Sequence, residues 1–142
     1  MTQTLDLFPI GNCAASALID RSGRFVWACT PRVDGDPAFC ALLSGDKAED
    51  QGFWSVDVED MASVRQHYVR NTPILVTEIT DKSGAVVEIT DFAPRYLQFG
   101  RVYRPMAFVR KVRPLSGTPR IRVRMRPMVN WGEAPAAITT GS

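Results

Sequence analysis

The chain is poor in the residues that usually announce chemistry. It has one histidine, His67, in 142 residues. A histidine-rich metal site is therefore excluded, and His67 would have to be the base of any serine triad. No Gly-x-Ser-x-Gly elbow accompanies it, and the plainer reading of His67 is a sheet-surface residue. There are three cysteines, Cys13, Cys29 and Cys40, and no Cys-x-x-Cys pair. An odd number at wide spacing argues against a disulfide framework or a zinc site. It points to three reduced, buried thiols in a cytoplasmic protein. No phosphate-binding loop occurs, and Asp34-Gly-Asp36 lacks the continuation of a calcium loop. No cofactor or metal is expected. Apolar runs are only a few residues long, far short of the ~20 a membrane helix needs. Residues 1–8 show no basic segment followed by an apolar core, so neither a membrane partner nor a secretory signal is read here.

Acidic residues are missing from one long interval. Between Asp91 and Glu133 there is none, while Arg95, Arg101, Arg104, Arg110, Lys111, Arg113, Arg120, Arg122, Arg124 and Arg126 all fall there. The net charge is nevertheless only +2, so the asymmetry is local. A basic stripe can bind nucleic acid. Arg122, Arg124 and Arg126 alternate with Val123 and Met125, which puts them on one face of a strand. No aromatics interleave with them for base stacking, so no nucleic-acid partner is expected. Acids on a neighbouring domain are the alternative partners.

Hydrophobic residues make up 45% of the chain, enough for a soluble core. Their dominant period is two. Ala17–Asp20 and Phe25–Trp27 read as a hairpin through Arg21-Ser-Gly-Arg24. Trp54, Val56 and Val58 alternate with Ser55 and Asp57. Ile74–Thr80, the turn Asp81-Lys-Ser-Gly84 and Ala85–Thr90 form the clearest hairpin. Met106–Val112 and Ile121–Arg126 flank a turn over Pro114–Pro119. Asp36-Pro-Ala-Phe-Cys-Ala-Leu-Leu43 carries a cap residue followed by proline, which predicts at most one short helix or single turn near 36–43, ending before Gly45. Gly45–Gly52 reads as a loop. The expected fold is all-β: an antiparallel β-sandwich occupying residues 1–142 as a single domain. The stretch 134–142 stops without a closing element, which reads as an interrupted end. The strand nearest it, Ile121–Arg126, is then an unpaired edge, and a homo-oligomer becomes possible through it.

Paired carboxylates can cleave glycosides. Asp34 and Asp36 share a loop, and Glu88 and Asp91 share a strand end, but such acids are ordinarily turn formers. No catalytic residue is assigned.

The succession of several segments is more specific than any one of them. Ile10–Arg24 is followed by Trp27-Ala-Cys-Thr-Pro-Arg-Val-Asp34 and Phe39-Cys-Ala-Leu-Leu43. Then come Tyr68–Thr77, Val87-Glu-Ile-Thr-Asp-Phe-Ala-Pro94, Val109-Arg-Lys-Val-Arg113 and Ile121–Pro127. Together these segments, across residues 10–132, resemble the N-terminal domain of glycoside hydrolase family 15 enzymes, the glucoamylase, glucodextranase and trehalase-like group. The resemblance implies a super-β-sandwich, a linker and an α/α-barrel on the same polypeptide. In that barrel two glutamates hydrolyse glucosidic bonds of an oligo- or disaccharide substrate with inversion. It makes this chain a non-catalytic accessory domain. Trp27, Arg32, Asp34 and Asp36 are then the candidate contacts with the barrel or the sugar. An independent carbohydrate-binding sandwich is the alternative. Its mark would be exposed aromatics on one face, and Trp27, Trp54, Trp131 and Tyr103 are scattered along the chain.

Overall fold

Residues 5–141 are described by the computed structural model. Their strands, in chain order, are β1 (Phe8–Gly11), β2 (Ser16–Ile19), β3 (Phe25–Thr30), β4 (Asp36–Phe39) and β5 (Phe53–Val58). Next come β6 (Met61–Tyr68), β7 (Leu75–Asp81), β8 (Val86–Phe92), β9 (Tyr96–Gln98) and β10 (Arg101–Tyr103). The last are β11 (Val109–Ser116), β12 (Ile121–Arg126), β13 (Met128–Val129) and β14 (Ala134–Pro135). All pairings are antiparallel. One sheet has the order β1-β2-β3-β5-β12, with β4 also on β3, and the other has the order β11-β8-β7-β6. The hairpins β9–β10 and β13–β14 stand apart from both. This is the all-β sandwich that the period-two pattern predicts.

Its core lies between the sheets. Ile10, Ile19 and Phe25 from the first sheet meet Leu75 from the second. Further along, Val56 meets Ile79, Val87 and Ile89. The first sheet is also covered on its outer side, where Val26 and Phe53 pack on Ala41 and Ala48. That second cover explains why Ser55 is buried although it alternates with Val56.

Both expected hairpin turns form, and by one device. Asp20 Oδ1 accepts hydrogen bonds from the Ser22 N–H, the Ser22 hydroxyl and the Arg24 N–H. Asp81 Oδ1 accepts from the same three positions, on Ser83 and Ala85. The Asp-x-Ser-Gly spacing thus makes an Asx-turn that replaces missing backbone bonds.

The short helix or single turn expected near 36–43 is a 3-10 turn at Ala41–Leu43, and only its expected start at Asp36 is corrected. Asp36–Phe39 is strand β4, and only short 3-10 turns follow, at Ala41–Leu43 and Gly45–Glu49. Pro37 and Phe39 are both buried, a period of two that a helix cannot satisfy. The Phe39 ring meets Phe25 edge-on at 5.9 Å. Proline is tolerated because β4 pairs with β3 alone and is an edge strand. The turn over Pro114–Pro119 is also corrected. It does not return Ile121–Arg126 onto the preceding strand. β11 pairs with β8 and β12 with β5, so the chain crosses from one sheet to the other.

The arginine-rich interval finds acids from earlier in the chain. Arg110 meets Asp91 at 2.7 Å with both side chains almost completely buried. The guanidinium also donates to the carbonyls of Trp54 and Gly23 and lies over the rings of Phe25 and Trp54. A single side chain on the second sheet is therefore bonded to the first. Burial pushes the Asp91 carboxyl above its usual range, against the opposing pull of Arg110. Arg113 pairs with Glu88, Arg120 with Glu59 and Arg124 with Asp57.

Candidate functional site

The four residues singled out in the sequence separate into two groups. Arg32 and Asp34 lie in the turn between β3 and β4. They form an exposed bidentate pair with each other, at 3.1 Å in both contacts. Such a pair contributes little to stability, so both groups are free to be re-partnered at small cost. Trp27 and Asp36 are placed differently. Trp27 sits in the middle of β3 and lines a cleft of about 450 Å³. Asp36 opens β4 and turns its carboxylate towards the β13–β14 hairpin. Its two oxygens accept from the Asn130 and Trp131 backbone N–H groups at 2.8 and 2.9 Å.

That clamp brings in Trp131, a residue the sequence left unplaced. Trp131 lines the same cleft as Trp27, from the tip of the hairpin. Asn130 and Trp131 have φ of 55° and 58°, and Gly132 follows at 86°. Left-handed backbone is tolerated by asparagine but unfavourable for tryptophan. A Cβ at Gly132 would approach Cys40 Sγ to 3.1 Å, so glycine suits both the turn and the contact. The cleft wall between the two indoles carries Ser44, Asp46, Lys47 and Gln51. Two tryptophans that are 104 positions apart by number thus share one opening.

A second exposed feature is the β9–β10 hairpin. Asn12, buried beneath it, donates one N–H to the Pro94 carbonyl at 2.8 Å and the other to Pro105 at 2.9 Å. Its carbonyl oxygen accepts from the N–H groups of Ala14 and Ala15. One satisfied amide therefore ties together both ends of the hairpin. Tyr96 and Tyr103 stack at 5.5 Å. Leu97 and Phe99 stand out at 76% and 87% exposure, with Arg95, Arg101 and Arg104 around them. The hairpin was invisible as an element in the sequence because its side chains face solvent and show no burial period.

The remaining reactive groups make no centre. His67 is exposed on β6. Among the described residues no cluster of three or more His, Cys, Asp or Glu could hold a metal. Cys29 and Cys40 are buried free thiols, as expected, and burial first, then Asp36 and Asp34, push the Cys29 thiol upward. Cys13 corrects the expectation of three buried thiols. It is exposed, at a φ of 71°, with Arg95 Nη1 3.5 Å from its sulfur. No helix among the described residues is long and apolar enough to cross a membrane.

These features define a class: an antiparallel β-sandwich that presents clamped hairpins and an aromatic cleft. Residues 6–142 match the family described as trehalase-like, N-terminal, and the chain belongs to that family. It is 27% identical over 126 residues to a trehalase of Thermoplasma volcanium, covering 87% of this chain and 19% of that protein. It is 28% identical over 114 residues to a trehalase of Thermoplasma acidophilum, covering 80% of this chain and 19% of that protein. The chain thus spans about a fifth of the length of these relatives. No solved structure matches it.

Proposed function

We propose that residues 1–142 form the non-catalytic N-terminal sandwich of a trehalase-type enzyme of glycoside hydrolase family 15. The observation that carries this reading is the family match combined with coverage of only 19% of each related trehalase. The catalytic α/α-barrel belongs to the same polypeptide and hydrolyses glucosidic bonds by inversion, with a water between its two carboxyl groups. The sandwich packs on that barrel and supports it in the cytoplasm. Trp27, Arg32, Asp34 and Asp36 face the barrel or its sugar site. The β9–β10 hairpin supplies an apolar tip and three arginines to the contact, a mixture suited to an inter-domain surface. The nucleic-acid reading loses ground because Arg110, Arg113, Arg120 and Arg124 already have carboxylate partners.

The test has two arms. The 142-residue chain, assayed with trehalose, maltooligosaccharides and dextran, should show no turnover. The longer gene product that contains it should cleave trehalose and release the inverted anomer, read by NMR. Turnover by the short chain that is lost in Asp34→Asn or Asp36→Asn would overturn the reading. So would a longer product with no glucosidase activity.

A further inference from the structure

We propose that the cleft between Trp27 and Trp131 is a binding subsite for a glucosyl unit, pre-shaped by Asp36. The proposal rests on the reading of this domain as part of a glucoside-cleaving enzyme, and it deepens that reading by assigning the sugar contact to one place.

The first argument is the exposed indole. Trp131 is 67% exposed, yet it is not a loose side chain on a mobile tip. Its backbone and that of Asn130 are held in the left-handed region by both oxygens of one carboxylate. Unfavourable backbone that the surroundings over-determine is a mark of a functional position. Asp36 spends both oxygens on that task, and no arginine or lysine neutralises it among the described residues. Its role is to position Trp131.

The second argument is the chemistry of the lining. A pyranose ring has an apolar C–H face and a rim of hydroxyls. It needs an aromatic plane for the first and donors and acceptors of both kinds for the second. Trp27 and Trp131 supply indole surface. Lys47 supplies a donor, Asp46 an acceptor and Gln51 an acceptor oxygen. Neither Asp46 nor Lys47 is engaged in an ion pair among the described residues. Ser44 spends its proton on the Cys40 carbonyl at 2.9 Å and takes the Cys40 thiol at 3.7 Å on one lone pair, which leaves the other to accept. Neither indole N–H has a hydrogen-bond partner among the described residues. A phosphate or other anion would meet Asp46, and a purely apolar ligand would strand four polar groups. The cleft, at about 450 Å³, lies in the ~300–1,000 Å³ range of small-ligand pockets.

The experiment is a fluorescence titration of the 142-residue chain. Of its three tryptophans, Trp54 lies in the core against Phe25 at 5.1 Å, so the signal from Trp27 and Trp131 reports on the cleft. The probes are trehalose, glucose and maltose, with inositol as a polyol lacking the ring oxygen. Trehalose or maltose should give a saturable change with a dissociation constant on the order of 1 mM. Trp131→Ala should weaken binding at least ~tenfold, while Trp131→Phe, which keeps an aromatic plane, retains most of it. Asp36→Asn should weaken it too, because an amide oxygen can accept from only one of the two N–H groups. Far-UV circular dichroism confirms that each variant is folded. A folded wild-type chain with no saturable response to any sugar up to ~100 mM sinks the proposal. So does binding that Trp131→Ala leaves unchanged, or an equal response to inositol. Failure here leaves trehalose cleavage by the longer gene product as it was, so the two readings fall separately.

Discussion

Strands β11 and β12 come from the same acid-free interval and both carry arginines, strictly alternating with apolar residues only on β12, yet they meet opposite fates. On β11, Arg110 is sealed between the sheets against Asp91, and Arg113 pairs with Glu88 on the neighbouring strand. On β12, Arg124 makes a half-exposed pair with Asp57, and Arg122 and Arg126 have no carboxylate partner among the described residues. The apolar side of β12 pairs in register with Trp54, Val56 and Val58, so it faces the core layer. Even so, Ile121, Val123 and Met125 are 44%, 56% and 48% exposed, because β12 ends its sheet and nothing overlies them. Charge pattern alone therefore does not tell an internal crosslink from an open edge. The acid that the fold delivers opposite each arginine does.

The largest effect should come from breaking the internal crosslink. Asp91→Ala or Arg110→Ala leaves one buried charge unpaired and should cost about 3–5 kcal/mol in urea unfolding. The joint change of Asp91→Leu with Arg110→Met should recover much of that loss, since an apolar pair of similar volume avoids the desolvation cost. If the joint variant is as unstable as either single one, the carbonyl bonds of Arg110 matter more than its charge.

The open edge should show itself in solution. Light scattering over a concentration series should find dimers or larger species of the 142-residue chain, because an edge strand with one open side and an uncovered apolar face recruits another. Val123→Lys should weaken that association at least ~tenfold, about 1.4 kcal/mol. A wild-type chain that stays monomeric at high concentration would show the edge to be closed as it stands. In contrast with Arg110, Arg124→Ala should cost at most about 1 kcal/mol, and less in high salt.

The smallest effect tests a turn outside both strands. The Ser83 hydroxyl, helped by the backbone N–H groups of Ala85, Ser83 and Gly84, holds the Asp81 carboxyl below its ordinary 3.8 against the opposing effect of desolvation. A depressed carboxyl favours folding above the unfolded value, and that contribution disappears as pH falls through the folded one. Stability of the wild-type chain should therefore fall relative to Asp81→Asn on acidification below 3.8. A difference between the two that does not change with pH would remove the carboxylate from the account of the turn.

The amino-acid sequence by itself determined the elements whose signal is local. The Asp-x-Ser-Gly turns are built from atoms within five residues, and the alternation of Ile79, Val87 and Ile89 with polar neighbours dictates strands with one buried face. Those signals need no distant partner to act. The succession of segments from Ile10 to Pro127 was legible as well, and its resemblance to a trehalase-like N-terminal domain agrees with the family match. Of the candidate site, Trp27 and Asp36 were visible only as residue types near a turn. Tertiary structure decided the rest. It made Asp36 the clamp of a tryptophan 95 positions away rather than a helix cap. It joined Trp131 to Trp27, paired Arg110 with Asp91, and set Asn12 beneath the β9–β10 hairpin. It also sent β11 and β12 to different sheets. In each case the deciding bond joins residues far apart in the chain. Its energy depends on burial and direction, which appear only when the sheets close on one another.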